Sequence, residues 1–509
     1  MKGFIKTVAV VTVFSICEKF LGFLYRIFLS RTIGAEGIGL YQVALSVFAL
    51  LLTVCSSGTP ITVSRLMTKY KAEGREDKVK KVITAGLAVT FFTALPICII
   101  FFVFRNSLSF IFADPRCKSI FLVALPGLLF TSIYSVFRGV FWGNKDFLPY
   151  SIIELLEEAC MIIAGIMLIS TATTVYDGAY KASVAVLISY IFSFLLASLV
   201  FFIRKNKLSN PKSQLKPLLS SAMPITAMRT ANSFIVSLVS IILPMRLISA
   251  GFSPVRAMSV FGSALGEAIP ILYIPTTLIG SFTLVLVPEI SEDYYTKNTL
   301  KFKLDAQKAI KTTTIVACLC IPVFISLGKE IGVLFYNNPE SGKFLSVSSY
   351  LMLFMSLSSI TTSVLNSIGL ETKTLIFYII GAVLMLACIW VLPSLLGIYS
   401  LVVGFLCVFG LTTLFNLILL SKKSPVKIEY KKHLVCCSML TIPAIIFGFM
   451  LKNLLINLLG TFFTTLITGF ITLAFSLGLY LVFNLIKIDM ITSKLKMKRK
   501  PKIKKSATL

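Results

Sequence analysis

The sequence predicts an all-α polytopic membrane protein of fourteen transmembrane helices, built as two parallel six-helix repeats with an appended C-terminal helix pair. Three observations carry this reading. Of 509 residues, 57% are hydrophobic and 14% are charged, where a soluble chain carries about 25% charged residues. Apolar runs of roughly twenty residues, enough to cross the hydrocarbon core, recur along the whole chain, whereas a membrane barrel gives short alternating segments. Lysine and arginine concentrate in every second loop, as orientation in a membrane requires.

The spans follow in order. The first, 4–30, is too long for a cleavable signal peptide, and Gly22, Tyr25 and Arg26 do not form a small-residue cleavage site. The second, 38–64, is interrupted by Ser56-Ser57-Gly58-Thr59-Pro60 and leads into the basic stretch Arg65 to Lys81. Spans 82–104, 119–141, 148–170 and 181–203 complete the first repeat, which closes on the basic stretch Arg204 to Lys216. The second repeat opens with 217–245 and 258–288, the latter interrupted by Pro270 and Pro275 and followed by the basic stretch Lys297 to Lys311. It continues through 309–328, 345–369, 374–395 and 397–420 to the basic stretch Lys422 to Lys432. The pair 433–451 and 461–486 ends in a lysine-rich tail after Lys487. Loops on the opposite side, such as Thr171 to Tyr180 and Pro393 to Ser400, are short and poor in cations. The positive-inside rule then places both termini in the cytoplasm and the chain in the cell membrane as a multi-pass protein.

An internal repeat supports the division. Ser135-Val136 and Lys145 recur as Ser363-Val364 and Lys373 at one constant offset, at the junctions of spans four and five and of spans ten and eleven. Six spans per copy is even, so the copies are parallel, and transporters of this kind place a substrate site where the halves meet. The expected organisation is 1–208 and 209–424 for the two lobes, 425–488 for helices thirteen and fourteen, and 489–509 for a basic cytoplasmic tail. Paired Gly/Pro interruptions in spans two and eight point to substrate-facing helices, with a repaired packing kink as the alternative.

The net charge of +28 is accounted for by the loops and tail, which orient the chain and meet anionic lipid, so nucleic acid is not an expected partner. The eleven cysteines form no metal pattern and read as small buried hydrophobes. The single histidine, His433, reads as solvated in a basic loop. No Walker loop is present, and the outward loops are too short for a catalytic domain, so no enzyme, cofactor or metal is expected.

The candidate functional residues are charges inside the apolar spans. Lys19 and Arg26 lie two helical turns apart on one face of the first span, on a stripe with Ser15, Gly22 and Ser30. A charge at the centre of a membrane helix costs roughly 2.5–3.5 kcal/mol by insertion scales, so such residues face a cavity or a partner. Arg229 sits in the corresponding span of the second repeat, with Asn232 one turn on. These residues, with Arg31, are the expected substrate contacts for an anion. Glu18, Glu154 and Glu267 are expected counter-ions or coupling groups. Glu267 reads equally as a partner of Arg229, a coupling-ion ligand or a proton carrier. Glu154, Glu157 and Glu158 share one face near the start of span five, where negative charge also stabilises a helix N-terminus.

The stretch Glu18-Lys19-Phe20-Leu21-Gly22-Phe23-Leu24-Tyr25-Arg26, continuing through Leu29-Ser30-Arg31-Thr32-Ile33-Gly34-Ala35-Glu36-Gly37, resembles the opening of the stage V sporulation protein B family. That family lies in the polysaccharide-exporter branch of the MOP flippase superfamily. Lipid II flippases share the shorter Leu-Gly-Phe and Arg core. The resemblance implies a flippase for an undecaprenyl-pyrophosphate-linked glycan precursor, lipid II for spore cortex peptidoglycan above all, working by alternating access. It implies basic cavity residues against the pyrophosphate, with Lys19 matching the first such position and Tyr25-Arg26 the next. Basic residues are not matched in spans two and eight, where Leu51-Leu52 and Pro270 stand, and span eleven lacks an acid for the family's sodium site. The expected partners are the lipid-linked substrate, anionic lipids at the basic loops and tail, and cell-wall synthases, and the expected state is a monomer. A drug or cation antiporter of the MATE type, which prefers acids in its cavity, and a flippase for a capsular or teichoic precursor are the alternatives.

Overall fold

The computed structural model describes residues 2–204, 206–423 and 430–485. The tail at 489–509 and most of the basic stretch Lys422 to Lys432 lie outside the described residues. Among the described residues there is no strand. They hold nine helices long and apolar enough to cross a membrane, or up to eleven when each of two bent pairs counts as one span.

Two helices are long enough for two crossings each. α1 runs Lys2–Ser56 and α18 runs Lys431–Val482. Each is broken at a glycine in a positive-φ conformation, Gly34 (φ 68°, ψ 177°) and Gly460 (φ 67°, ψ 174°). Only a residue without Cβ takes this geometry cheaply. These breaks fall between the predicted first and second spans and between the predicted thirteenth and fourteenth.

The chain forms two compact units. The first comprises Met1–Pro270, Phe335–Ser341 and Leu386–Leu401. After α1 it contains α2 (Thr59–Ala72), α3 (Glu76–Val103), the bent pair α4 (Pro115–Ala124) and α5 (Gly127–Gly143), α6 (Phe147–Ile169), α7 (Val175–Ile203), α8 (Lys212–Ser249) and α9 (Pro254–Phe261). Val63, Met67, Val82, Phe141 and Phe201 form a core among α2, α3, α5 and α7. Small residues bring backbones together around it. A Cβ on Gly139 of α5 would stand 2.6 Å from the Pro60 carbonyl oxygen of α2. The second half of α1 meets α9 in the same way, since a Cβ on Gly39 would stand 2.1 Å from the Met258 carbonyl oxygen. The Ser237 hydroxyl on α8 donates to the Ser46 carbonyl of α1 at 2.6 Å.

The second unit comprises Ile271–Leu334, Gly342–Met385 and Val402–Leu509. It takes most of α10 (Ile269–Tyr295) and α11 (Thr299–Tyr336), followed by α12 (Pro339–Ser348), α13 (Leu351–Ser367), α14 (Glu371–Val391), α17 (Leu411–Lys423) and α18. Between α14 and α17 lie the short α15 (Pro393–Leu396) and α16 (Ser400–Phe405). Asn416 on α17 donates to Thr361 (3.1 Å) and Thr362 (2.9 Å) on α13. The two arms of α18 meet through stacked Phe447 and Phe475, with ring centroids 4.2 Å apart. The helix docks on α11 through the Lys452–Glu330 ion pair (3.3 Å) and through Gly448 against Ser326. This docking corrects the reading of His433. The ring is half-buried rather than solvated, and its Nε2 is buried without a partner. All eleven cysteines are free thiols.

The predicted interruptions take two forms. In span two the helix stops at Ser56 and restarts at Thr59. In span eight Pro270 and Pro275 stay inside the continuous α10, and the irregularity is a π-turn, Gly262–Ala268, just ahead of them. Proline lacks the N–H that would bond four residues back, and a wide turn takes up the mismatch.

The backbone approach at the π-turn generates a stability test. A Cβ on Gly262 would stand 1.9 Å from the Ala35 carbonyl oxygen, and backbone cannot step aside as a side chain can. Gly262→Val is expected to cost roughly 3 kcal/mol or more, the upper end for overpacking. It should lower the melting temperature in detergent by many degrees. Gly478→Ala, with nothing within 4 Å of the added carbon, should melt like wild type. Equal melting of the two variants would contradict the packing described.

Candidate functional site

The two helix interruptions leave main-chain carbonyls without their usual partners, and an arginine answers each. Pro270 has no N–H for the Gly266 carbonyl one turn behind it, and Arg26 Nη1 from α1 donates to that oxygen at 2.8 Å. At the gap between α1 and α2, Arg229 Nη1 from α8 donates to the Ser57 carbonyl at 3.2 Å. Hydrogen bonds from a charged donor contribute about 1.5–3 kcal/mol each. A guanidinium has five N–H donors, so each arginine is oriented by backbone while donors remain for a ligand. Among the described residues neither Arg26 nor Arg229 forms an ion pair with a carboxylate, and neither does the exposed Lys19.

Glu267 follows Gly266 in the π-turn and is 0% exposed. Its Oε1 accepts from the Ser30 hydroxyl at 2.6 Å and its Oε2 from Asn338 Nδ2 at 2.7 Å. Asn338 also reaches the Ser263 hydroxyl at 2.8 Å. Arg31 Nε donates to the Phe335 carbonyl at 2.9 Å, fixing the same short segment to α1. Of the roles open to Glu267 in the sequence, pairing with Arg229 is therefore not the one adopted. Its oxygens are taken by neutral donors, and Arg229 is turned to the other break.

Arg229 instead lines a polar chamber of about 300 Å³ within the first unit. α1 contributes Thr53 and Ser56, the gap after it contributes Ser57, and α5 contributes Tyr134 and Arg138. Glu154 and Glu157 come from α6, and Tyr190 from α7. Arg138 Nη1 donates to Glu154 Oε1 at 3.2 Å, and its guanidinium stands 5.4 Å from the Trp142 ring centre. Among the described residues, four side-chain atoms of the lining residues are fully buried without a hydrogen-bond partner: Ser57 Oγ, Tyr134 Oη, Arg138 Nε and Glu157 Oε2.

The sequence-predicted residues thus fall into distinct places. Arg26, Arg31 and Glu267 gather around the π-turn. Arg229 and Glu154 meet at the chamber. Glu18 is half-buried within electrostatic reach of Glu154 and Arg138, while Lys19, its exposed neighbour, joins neither network by hydrogen bond. Asn232 is exposed on α8. Sequence reasoning left out Arg138, Tyr134, Glu157 and Tyr190 as site residues. One signal for Arg138 was present, a single cation in the otherwise apolar span 119–141.

Residues 4–293 match the sequence model of the polysaccharide biosynthesis protein family. The chain is 25% identical over 460 residues to stage V sporulation protein B of Bacillus subtilis (strain 168), covering 86% of this chain and 88% of that one. It is 24% identical over 425 residues to the lipid II flippase MurJ of the same organism, covering 74% and 75%. Among solved structures it superposes on a lipid II flippase MurJ in an inward closed conformation with a TM-score of 0.73 at 16% identity, over 93% of this chain and 98% of that one. An inward-facing multidrug resistance MATE family transporter of the MOP superfamily gives 0.66 at 15% identity, over 80% and 96%. These superpositions establish the fold, the helical bundle shared by these membrane proteins.

The Glu267 network yields a second test. Glu267→Ala leaves the Ser30 and Asn338 donors buried and unanswered, at a cost of about 1–3 kcal/mol for each orphaned group. The melting temperature in detergent should fall well below wild type. Glu267→Gln keeps an acceptor oxygen and should recover most of the loss. An alanine variant that melts with wild type would show that these bonds do not hold the π-turn.

Proposed function

The chain belongs to the polysaccharide biosynthesis protein family, and from that membership we propose that it is a flippase for an undecaprenyl-pyrophosphate-linked glycan precursor, with lipid II for spore cortex peptidoglycan as the particular substrate. One observation carries the proposal. Lys19, Arg26 and Arg229 are cations in apolar spans without a carboxylate partner, and the two arginines are oriented by backbone with donors to spare. A pyrophosphate headgroup asks for such charge-assisted hydrogen bonds. The polyprenyl tail stays in lipid throughout.

In this reading the chain crosses the cell membrane fourteen times with both termini in the cytoplasm. The helix breaks at Gly34 and Gly460 divide α1 and α18 into two passes each. Phe147–Ile169 supplies a further pass whose three glutamates mask its apolar character. The sequence repeats 1–208 and 209–424 are the bodies that alternate access would move, with 425–488 appended. Arg31 and Asn232 are supporting contacts at the ends of this cationic region. The proposed role is transport and not catalysis.

A second reading, a MATE-like cation antiporter, is favoured by Glu154 and Glu157 on the chamber wall. Mass spectrometry of lipids retained by the gently purified protein separates the two, since a pyrophosphate-linked glycan supports the flippase and a bound organic cation the antiporter. In reconstituted vesicles, Lys19→Ala, Arg26→Ala and Arg229→Ala are each expected to lower the flipping rate at least tenfold at unchanged membrane abundance. Full activity of a Lys19→Ala/Arg26→Ala double variant would sink the electrostatic account.

A further inference from the structure

Glu267 has no task in the proposed function, and its surroundings are unusual for an acid. It is 0% exposed, and among the described residues no cation pairs with it. A carboxylate so placed is stabilised by hydrogen bonds or by taking up a proton. The charged groups on the elements packed around it are turned elsewhere. On α1, Arg26 answers the Gly266 carbonyl at 2.8 Å, Arg31 answers the Phe335 carbonyl at 2.9 Å, and Glu36 is held by Arg116 at 2.7 Å. On α9, Arg256 pairs with Glu340 at 2.5 Å. The segment Phe335–Ser341, part of the first unit, adds the phenol of Tyr336, and α1 adds that of Tyr41. Only neutral groups touch the carboxylate: the Ser30 hydroxyl on Oε1 at 2.6 Å and Asn338 Nδ2 on Oε2 at 2.7 Å.

These partners decide which ion the site takes. Asn338 is fixed in orientation, because its Oδ1 accepts from the Glu340 N–H at 3.0 Å. Its Nδ2 therefore points at Glu267 and at Ser263 Oγ, 2.8 Å away. A hard metal cation asks for oxygen ligands and is repelled by an amide N–H aimed into its place. A proton meets no such obstacle. It comes from water, forms an O–H bond on Oε1, and that O–H donates to Ser30 Oγ. A serine hydroxyl both donates and accepts, so Ser30 turns its own hydrogen to the Arg26 carbonyl one turn back on α1, the acceptor that helical serines commonly use. Oε2 keeps its bond from Asn338 throughout. Both charge states of Glu267 are thus fully hydrogen-bonded, which an ion-paired acid does not offer. The cover is thin, since Asn337 and Pro339 on either side of Asn338 are exposed.

We propose that Glu267 is a proton-binding site, filled and emptied as the segment Phe335–Ser341 lifts and settles, and that its proton is coupled to flipping. The site itself stands apart from the flippase reading; the coupling rests on it.

The test uses the full-length protein in lipid nanodiscs. Infrared difference spectra recorded from about pH 9 to about pH 4, the range in which carboxyl groups of proteins titrate, should show the carbonyl stretch of a protonated buried carboxyl. Glu267→Gln, which keeps an acceptor oxygen and the fold, should lack that band. Ser30→Ala keeps the carboxyl and removes the group it donates to, so the band should shift. Identical spectra for wild type and Glu267→Gln, or an unshifted band in Ser30→Ala, would place the proton elsewhere and overturn the site. The coupling is read in reconstituted vesicles held at zero membrane potential, with a polyprenyl pyrophosphate carrying a disaccharide as the probe. A gradient of about one pH unit is worth a factor of about ten per coupled proton, so it should change the wild-type flipping rate severalfold and that of Glu267→Gln less than about twofold. An equal response of the two proteins refutes the coupling. If wild type does not flip the probe at all, the flippase reading fails, and the infrared band still decides the proton site.

Discussion

A hydrogen bond from a guanidinium to a main-chain carbonyl, made at each of two interrupted helices, is the constraint on which this site rests. A main-chain carbonyl that loses its helical N–H partner needs another donor, and in a dry segment leaving it unsatisfied costs several kcal/mol. A charge in the same environment is equally expensive alone. Each defect answers the other. Arg26 of α1 satisfies the carbonyl that Pro270 abandons, and Arg229 of α8 satisfies the carbonyl at the Ser57 gap. The pattern is reciprocal, because α1 serves the π-turn ahead of α10 and α8 serves the gap between α1 and α2. Lysine in either place would keep the charge but lose the planar fork that allows one edge to hold backbone while another meets a ligand.

The acids complete the picture by what they decline to do. Glu267 is fully buried, yet its oxygens go to Ser30 and Asn338. Glu154 is committed to Arg138. Glu267 and Glu154 are therefore occupied by other partners, and the cations proposed to meet phosphate are left without a carboxylate. A cavity built for a cation would distribute the same residues the other way, with free acids and neutralised arginines.

Much of this was legible in the chain. Apolar runs and loop charges locate the helices, because the bilayer imposes length and orientation directly on the sequence. Charged residues inside those runs mark Arg26, Arg229 and Glu267 for the same reason. What could not be read was who pairs with whom. The Arg229–Glu267 pair was plausible by type, and only the course of the π-turn at Gly262–Ala268 shows that Glu267 faces Ser30 instead. The proline signal in span eight was read as a break at Pro270 and Pro275, whereas the distortion is displaced ahead of them. The chamber was least visible. Tyr134 and Tyr190 are ordinary on their own helices, Glu157 shows only as one of three acids on a face, and their convergence depends on how α5, α6 and α7 pack around α1.

Separating a mixed polar chamber from a cationic set has a consequence for selectivity. Phosphate contacts bind any polyprenyl pyrophosphate and cannot tell one glycan from another. Specificity is a difference between affinities, and it grows where a wrong ligand leaves buried groups unpaired. The residues that line the chamber of the first unit, Ser57, Tyr134, Arg138 and Glu157 among them, carry donors and acceptors of both kinds, and a wall of that composition can make such a distinction. Relatives that differ in this wall while retaining the arginines at the breaks would then share a transport mechanism and differ in cargo. On the proposed function the two features divide the work, with backbone-anchored cations supplying capture and the mixed polar wall supplying choice.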